Sequence, residues 1–452
     1  MINVSDEYKQ KIKNNRNMYA DIRIITELGT EISIQQKHIR SLVLNDDVSG
    51  STSFDIGAAI INQCTIRLDN SERDYDGIEF DQAEITVKIG LKLSSTVEWI
   101  QKGVYTSDPG EEVGDVITIK AYDHMRRFDR VYSDSNLIYP ATLGQIVRDA
   151  CEMCDVPAEF SSFEHDDFVV SARPDSETVT FREILTWAGQ ISCHWFRCNP
   201  KGELSAGFYN TASYESNIEE DFHEISIIST LSKSTEDIVI TGIKVDQEDA
   251  TYMSGSDGYV LSVEDNELIQ GQDGLTVAQM LGEKLIGLSF RKLSVTHQSD
   301  PSIEAGDLAK VTDRKGNVYK TLITSVSFQF GGSQKSSCNA ETPAHNSTQR
   351  FSQSTKNYVA LRKQINAEKS ERETAVEQLQ KTLKESSGLY QSSVLQEDGS
   401  TIYYLHDKPS ISESKTVIKL TAEAIGVSTD GGNTYPYGFT VTGEMITRVL
   451  QT

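Results

Sequence analysis

Nowhere in the 452 residues is there a run near the roughly twenty apolar residues that a membrane helix needs. The start, MINVSDEYKQKIKNN, has no apolar h-region, so no secretory signal is expected, and synthesis in a cytoplasm is. Basic residues are scarce: 43 Lys and Arg stand against 67 Asp and Glu, a formal net charge of −24. A nucleic-acid binder without sequence preference needs a basic surface to displace counterions, and no basic block is present. The acidity serves solubility, or a surface that repels phosphate where DNA passes nearby. The 8 histidines include no His-x-His and no H-E-x-x-H, which argues against a zinc peptidase. No Gly-rich phosphate cradle follows a strand and opens a helix.

The 6 cysteines raise a second possibility. Cys151 and Cys154 form a C-x-x-C, and Cys193 and Cys198 follow, with His194 between them. That set could be read as a four-ligand zinc site. Periodicity speaks against it. In TLGQIVRDACEMCDVP, Leu143, Ile146, Val147, Ala150, Cys151 and Cys154 make one apolar helical stripe. Both thiols then face a core, where free cysteine acts as a small hydrophobe. No metal and no cofactor are expected. Cys338, in KSSCNAE, is a weak candidate nucleophile. Paired acids at Asp46-Asp47, Asp166-Asp167 and Glu219-Glu220 could serve a glycosidase, but adjacent acids in loops are expected to be solvated.

The chain is long enough for about two to four domains. Residues 1–132 read as β. Ile22 and Ile24 alternate in DIRIITEL, and Ile85, Val87, Ile89 and Leu91 alternate in EITVKIGLKL. Ile117, Ile119 and Ala121 repeat the pattern in DVITIKAYD. Period two with one solvated face suits antiparallel sheet. Residues 133–230 change period. Thr142 with Gln145, and Thr180 with Glu183, have capping-box spacing at the heads of two helices. The second should bury Phe181, Ile184, Leu185 and Ala188, and SCHWFRCNPKGELSAGFYN reads as a hairpin turning at Asn199–Gly202. Over 231–345 strands return. Thr276 with Gln279 is expected to cap a third helix, Asp313–Gly316 to turn a hairpin, and Leu322, Val326, Phe328 and Phe330 to share a face. The fold class expected is mainly β with an α/β insert.

From Lys356 to Glu385 there is no Gly or Pro. As a straight helix this stretch would be about 45 Å long. With Tyr358 at heptad position a, Leu361 falls at d, Ile365 at a, Ala375 at d and Leu379 at a. Glu368 and Arg372 interrupt the seam, and Val376, Leu379 and Leu383 suggest a stutter. So thin a seam cannot hold an isolated helix in water. It lies on its own chain or forms a coiled coil with identical copies through Tyr358, Leu361, Ile365, Ala375, Leu379 and Leu383. Ile at a with Leu at d leans toward two strands. Behind it, Tyr403-Tyr404-Leu405, TVIKLTAEAIGVS, a turn at Asp430-Gly431-Gly432 and YGFTVTG read as a few short strands, marginal alone and expected to intertwine with copies of themselves.

The piece KESSGLYQSSVLQEDGSTIYYLHDKPSISESKTVIKLTAEAIGVSTDGGNTYPYG resembles the end of the stalk and the following β region of tail-tip (baseplate) hub proteins, the tail-associated Tal-type family of Gram-positive phages and prophages. Upstream, the β–α/β–β order with NPKGEL and DPSIEAGD is similar to the hub fold of phage baseplates. The resemblance implies a first β-barrel hub domain at 1–132, an α/β insert at 133–230 and a second β-barrel hub domain at 231–345. It implies a linker and coiled-coil stalk at 346–388 and a C-terminal β region at 389–452. It further implies a homotrimer in the virion tail tip that closes the tail tube and opens for DNA. Its partners would be distal tail or tail-tube proteins, the tape-measure protein, receptor-binding proteins and the bacterial cell surface, with DNA only in transit. A structural rather than enzymatic role is implied. The alternatives are a tail-associated peptidoglycan hydrolase and a receptor-binding adhesin.

Overall fold

The alternating run EITVKIGLK forms the strand Glu84–Lys92, and its inward residues Ile85, Val87, Ile89 and Leu91 are fully buried. Lys92 points to solvent. The same rule sets Met18–Ile25, which buries Ile22 and Ile24, and Val116–Asp123, which buries Ile117, Ile119 and Ala121. The computed structural model describes residues 2–14, 16–50, 54–174, 178–226, 228–247, 250–271, 273–340, 389–442 and 445–446. The chain divides into two compact units, residues 1–361 and 362–452. The stalk positions Tyr358, Leu361, Ile365, Ala375, Leu379 and Leu383 lie outside the described residues.

The first unit is built on a 12-stranded sheet. Its path begins at Ile228–Lys233 and runs through Leu293–Gln298, Ser333–Cys338 and Ser325–Gln329. There it crosses to Ile39–Asp47 and continues through Gln63–Asp69, Val116–Asp123, Val97–Ser107, Glu84–Lys92 and Met18–Ile25 to Glu31–Ile34, and the twelfth strand, Glu111–Val113, pairs with Val116–Asp123 off this path. The expectation of two separate closed barrels is corrected here. The path has open ends, and the two β regions share one sheet, joined where Phe328 pairs opposite Leu44 and Ser325 opposite Asp47. The cause is side-chain burial across the junction. Leu42, Leu44 and Phe328 lie in one apolar cluster, so two strand edges that would otherwise template foreign pairing satisfy each other.

Val326 and Phe328 share the buried face of the strand Ser325–Gln329, with Phe330 next at the same spacing, but they pack into different clusters, and Leu322 lies on a strand of another sheet. Leu322 ends the strand Val318–Leu322 and packs with the insert, Val326 belongs to a small cluster with Val295 and Val311, and Phe328 and Phe330 join the first β region. The break falls at Ile323-Thr324, between two strands of different sheets.

Both insert helices begin as their spacing predicts. In the helix Leu143–Cys154, Thr142 Oγ1 accepts from Gln145 N at 3.3 Å, and Thr142 N donates to Gln145 Oε1 at 2.9 Å. In the helix Phe181–Ser192, Thr180 and Glu183 make the same exchange at 3.2 and 2.8 Å. Each box satisfies two amide donors that a helix start leaves open. Phe181, Ile184, Leu185 and Ala188 are buried, and the two helices share one core with Phe54, Ile240, Leu261 and Leu281. Gly57 lies at φ +75°, and a Cβ there would stand 2.1 Å from Gln190 N. Main chain therefore seats directly on the helix at Gly189, an approach no side chain at 57 permits.

The hairpin Trp195–Cys198 with Leu204–Gly207 turns at Asn199–Gly202, and Leu308–Thr312 with Val318–Leu322 turns at Asp313–Gly316. The third helix differs from expectation. It spans Asp273–Leu285, so Thr276 sits inside its first turn rather than at its cap. The apolar stripe starts before Thr276, since Gly274 is already buried against Tyr252.

Candidate assembly sites

In the second unit, six strands form a meander in which each pairs with the next: Tyr390–Leu395, Thr401–His406, Val417–Leu420, Ala424–Ser428, Tyr437–Thr440 and Met445–Ile446. The ladder of this sheet is complete from strand to strand within one chain. Tight turns make it so. Gly399 takes φ +85° between the first two strands, where Asp398 Oδ1 accepts from Ser400 N at 2.9 Å. At Asp430-Gly431-Gly432 both glycines have positive φ, and Asp430 accepts from Thr434 N at 2.9 Å and Thr434 Oγ1 at 2.6 Å. Those hydrogen bonds hold the Asp430 carboxyl down at about 2.

Residues directly opposite in a ladder share a face, as do residues two apart in a strand. Tyr403, Leu420, Ile425 and Phe439 form one row across four strands, and Leu405, Ile418, Val427 and Tyr437 form the next. Both rows are therefore on one face, and every member is apolar or aromatic. None is buried: Phe439 is 54 % exposed, Tyr403 47 % and Ile425 43 %. The other face carries Tyr404, His406, Val417 and Ser428, and Val417 is the one core hydrophobe among the described residues of this unit. Covering the apolar face would yield on the order of 10 kcal/mol before the cost of association. A contiguous apolar face of this kind marks a contact surface.

The first unit holds a buried charge cluster where its three segments meet. Arg197, on the insert hairpin, approaches Asp46 Oδ1 at 3.2 Å and Glu304 Oε2 at 3.6 Å, and its Nη1 donates to Ala305 O at 2.8 Å. Lys102 Nζ stands 3.6 Å from Glu304 Oε1 and donates to Pro301 O at 2.8 Å. Asp46 Oδ2 accepts from Ala305 N at 2.8 Å. Side-chain exposure is 12 % for Arg197, 15 % for Glu304 and 7 % for Lys102, so screening by water is weak. Burial pushes the Asp46 carboxyl up while Arg197 opposes it. For Arg197, burial works against the charge, but Asp46 and Glu304 hold the guanidinium above its ordinary value. The cluster can do one thing: fix the angle between the insert and both β regions. Asp46 is thus not one of a solvated loop pair. It extends the alternating strand Ile39–Asp47, a continuation legible in IRSLVLND. Glu219 also has a specific partner, Lys310 Nζ at 2.6 Å. Asp166 is half-buried, Asp167 is exposed, and Asp166 O accepts from Gly144 N at 2.8 Å.

Behind this cluster lies Asp123, 6 % exposed, whose Oδ1 accepts from Met125 N at 3.2 Å. Burial pushes its carboxyl up to about 8. A carboxyl raised in the folded state adds stability that is complete below the unfolded value of about 4 and is lost as pH rises through about 8. Asp123→Asn keeps the Oδ1 acceptor and removes the charge. Its melting temperature should match the parent near pH 4 and exceed it increasingly toward pH 8, a gain in stability of up to a few kcal/mol. A constant offset across that range contradicts the assignment.

Cys151, Cys154, Cys193, Cys198 and Cys338 are all buried and free. Burial pushes Cys151, Cys193 and Cys338 to about 12 and Cys154 to about 11, and Cys198 is raised as well. Cys151 and Cys154 lie on the buried stripe with Leu143, Ile146, Val147 and Ala150. Among the described residues, the one set of three ligand-type side chains within mutual reach contains none of these cysteines; it is His38, Glu72 and Asp74. No motif spacing signals that set, since His38 stands 34 residues before Glu72 and the juxtaposition depends on strand pairing.

No family model matches this chain, and neither does any curated protein. Among solved structures it is similar to the prophage MuSo2 43 kDa tail protein from Shewanella oneidensis, at 11 % identity and TM-score 0.42, over 70 % of this chain and 96 % of that one. It is similar to the tail protein from Neisseria meningitidis MC58 at 10 % identity and TM-score 0.45, over 70 % and 95 %. A chain of the Francisella PdpA–VgrG complex matches at 8 % identity and TM-score 0.43, over 97 % and 79 %. At these scores the functional reading rests on the chain's own residues.

Proposed function

We propose that this chain is a structural hub of a phage or phage-like tail tip, working as a homotrimer. The observation that carries the reading is the apolar face of the C-terminal meander, which one chain leaves uncovered. Identical copies related by a threefold axis can each turn that face inward and bury it. The rod of Leu361, Ile365, Leu379 and Leu383 would hold the copies in register, and where its seam leans to two strands, the family resemblance at 384–438 favours three. The first unit would form the wall of a ring beneath the tail tube, its segments locked by Arg197, Asp46 and Glu304. The acidic balance would line a channel that DNA leaves without sticking. The partners would be distal tail or tube proteins, the tape-measure protein and receptor-binding proteins.

The test is solution mass. Light scattering should give about three times the 50.3 kDa chain mass, and a well-folded monomer in dilute buffer overturns the proposal. The same apolar face would suit a receptor-binding adhesin. Removing 387–452 separates the two: an adhesin lacking this region loses cell binding and keeps its assembly, whereas a hub loses affinity between its own copies.

A further inference from the structure

His38 closes the turn Gln36–His38, just before the strand Ile39–Asp47. That strand pairs with Gln63–Asp69, and the register Ile39↔Leu68 brings the loop after Asp69 beside the turn. His38 is 5 % exposed. Its Nδ1 is fixed by a 2.8 Å hydrogen bond to Tyr75 Oη. Its Nε2 is buried and has no hydrogen-bond partner. That nitrogen faces two carboxylates, Glu72 Oε2 at 3.5 Å and Asp74 Oδ2 at 3.6 Å. All three ligand-type atoms lie within 4.8 Å of one another.

We propose that His38, Glu72 and Asp74 form a binding site for a divalent cation of the zinc class. Two features single them out from an ordinary acidic surface patch. The first is the buried, unpartnered imidazole nitrogen aimed at the carboxylates. Burial of such an acceptor is unfavourable unless something fills its position. The second is spacing. Zinc binds His and carboxylate at about 2.0–2.1 Å, and tetrahedral ligands around it stand about 3.3–3.4 Å apart. The gaps of 3.5 and 3.6 Å already approach that separation and exceed the roughly 3.0 Å of adjacent octahedral ligands at magnesium-like distances. Tyr75 plays the part of the outer partner that orients a ligating histidine: Nδ1–H donates to the phenol oxygen and leaves the Nε2 lone pair directed at the cation. Water would complete the tetrahedron. Lys37 is the built-in competitor, with Nζ 2.8 Å from Glu72 Oε2. The ion would tie the Gln36–His38 turn to the loop at 70–76; its role is a clasp.

The probe is Co²⁺, then Zn²⁺, added to the full chain. Co²⁺ should bind with one ion per chain and give the intense visible bands of tetrahedral coordination, and Zn²⁺ should displace it. His38→Ala should abolish this signal. Glu72→Gln, at an exposed position that leaves the fold intact, should weaken binding at least 10-fold, and Tyr75→Phe by about 10- to 100-fold. Lys37→Met removes the competing ammonium and should tighten binding severalfold. No saturable binding in the micromolar range overturns the proposal. So does a signal that survives both His38→Ala and Glu72→Gln, which would place the ion on cysteine or elsewhere.

Discussion

Arg197→Met is expected to lower the melting temperature of the first unit by about 5–15 °C, the equivalent of about 3–5 kcal/mol. The methionine fills most of the arginine's volume, so packing is not the main loss. What remains is Asp46 and Glu304, largely shielded from water, with Lys102, 3.6 Å from Glu304, as the cation left beside them. Breaking one partner out of a buried ion cluster is far more destabilising than never having built it. The companion variant follows from that asymmetry. Adding Asp46→Asn and Glu304→Gln to Arg197→Met should recover most of the loss, because no uncompensated charge is left. If the three changes add up instead of compensating, the cluster is incidental. A pH series gives a second check. Burial already raises the Asp46 carboxyl, and loss of the guanidinium removes what opposes that shift. The variant's deficit should therefore shrink as pH falls and Asp46 takes up a proton.

The legible part of the fold was its periodicity. Ile85, Val87, Ile89 and Leu91, and the boxes Thr142–Gln145 and Thr180–Glu183, are local patterns read within a few residues, and the structure forms each of them. The sheet junction at Phe328 and Leu44 was not legible, because the two residues are 284 positions apart and each strand alone reads as a complete, half-buried strand. Two barrels and one shared sheet have the same local signature; only the long-range register separates them. The acids show the same limit. Asp46 and Asp166 look alike as members of Asp-Asp pairs, yet one meets Arg197 from another segment and the other does not. His38 with Glu72 and Asp74 lay below notice for this reason too: two loops must be brought together by strand pairing before the three side chains form a set.

The C-terminal strands offer the sharper test, because composition and geometry agree there for different reasons. Short strands suggested a region unable to cover itself, and the register now says which surface is left over. Ile425 and Phe439 stand opposite each other in the middle of the apolar face, at 43 % and 54 % exposure. Ile425→Asp with Phe439→Asp should leave the chain's own meander intact, since neither side chain belongs to the buried group of Val417, His406 and Ser428 on the other face. In the proposed trimer, however, each substitution would put a carboxylate into an apolar contact, three copies at once. Two such charges per subunit should cost at least about 4 kcal/mol, a factor of roughly a thousand in the dissociation constant. In the proposed assembly the rod would also link the copies, so the readout is the concentration at which mass falls from three chains to one, measured by sedimentation alongside far-ultraviolet circular dichroism. Val394→Asp is the matched control. Val394 is 49 % exposed and pairs with Ile402, on the face that holds His406 and Val417. It should change the dissociation concentration little. If Val394→Asp dissociates the protein as strongly as the double variant, or if the double variant assembles like the parent, the copies do not meet through the Tyr403–Phe439 face.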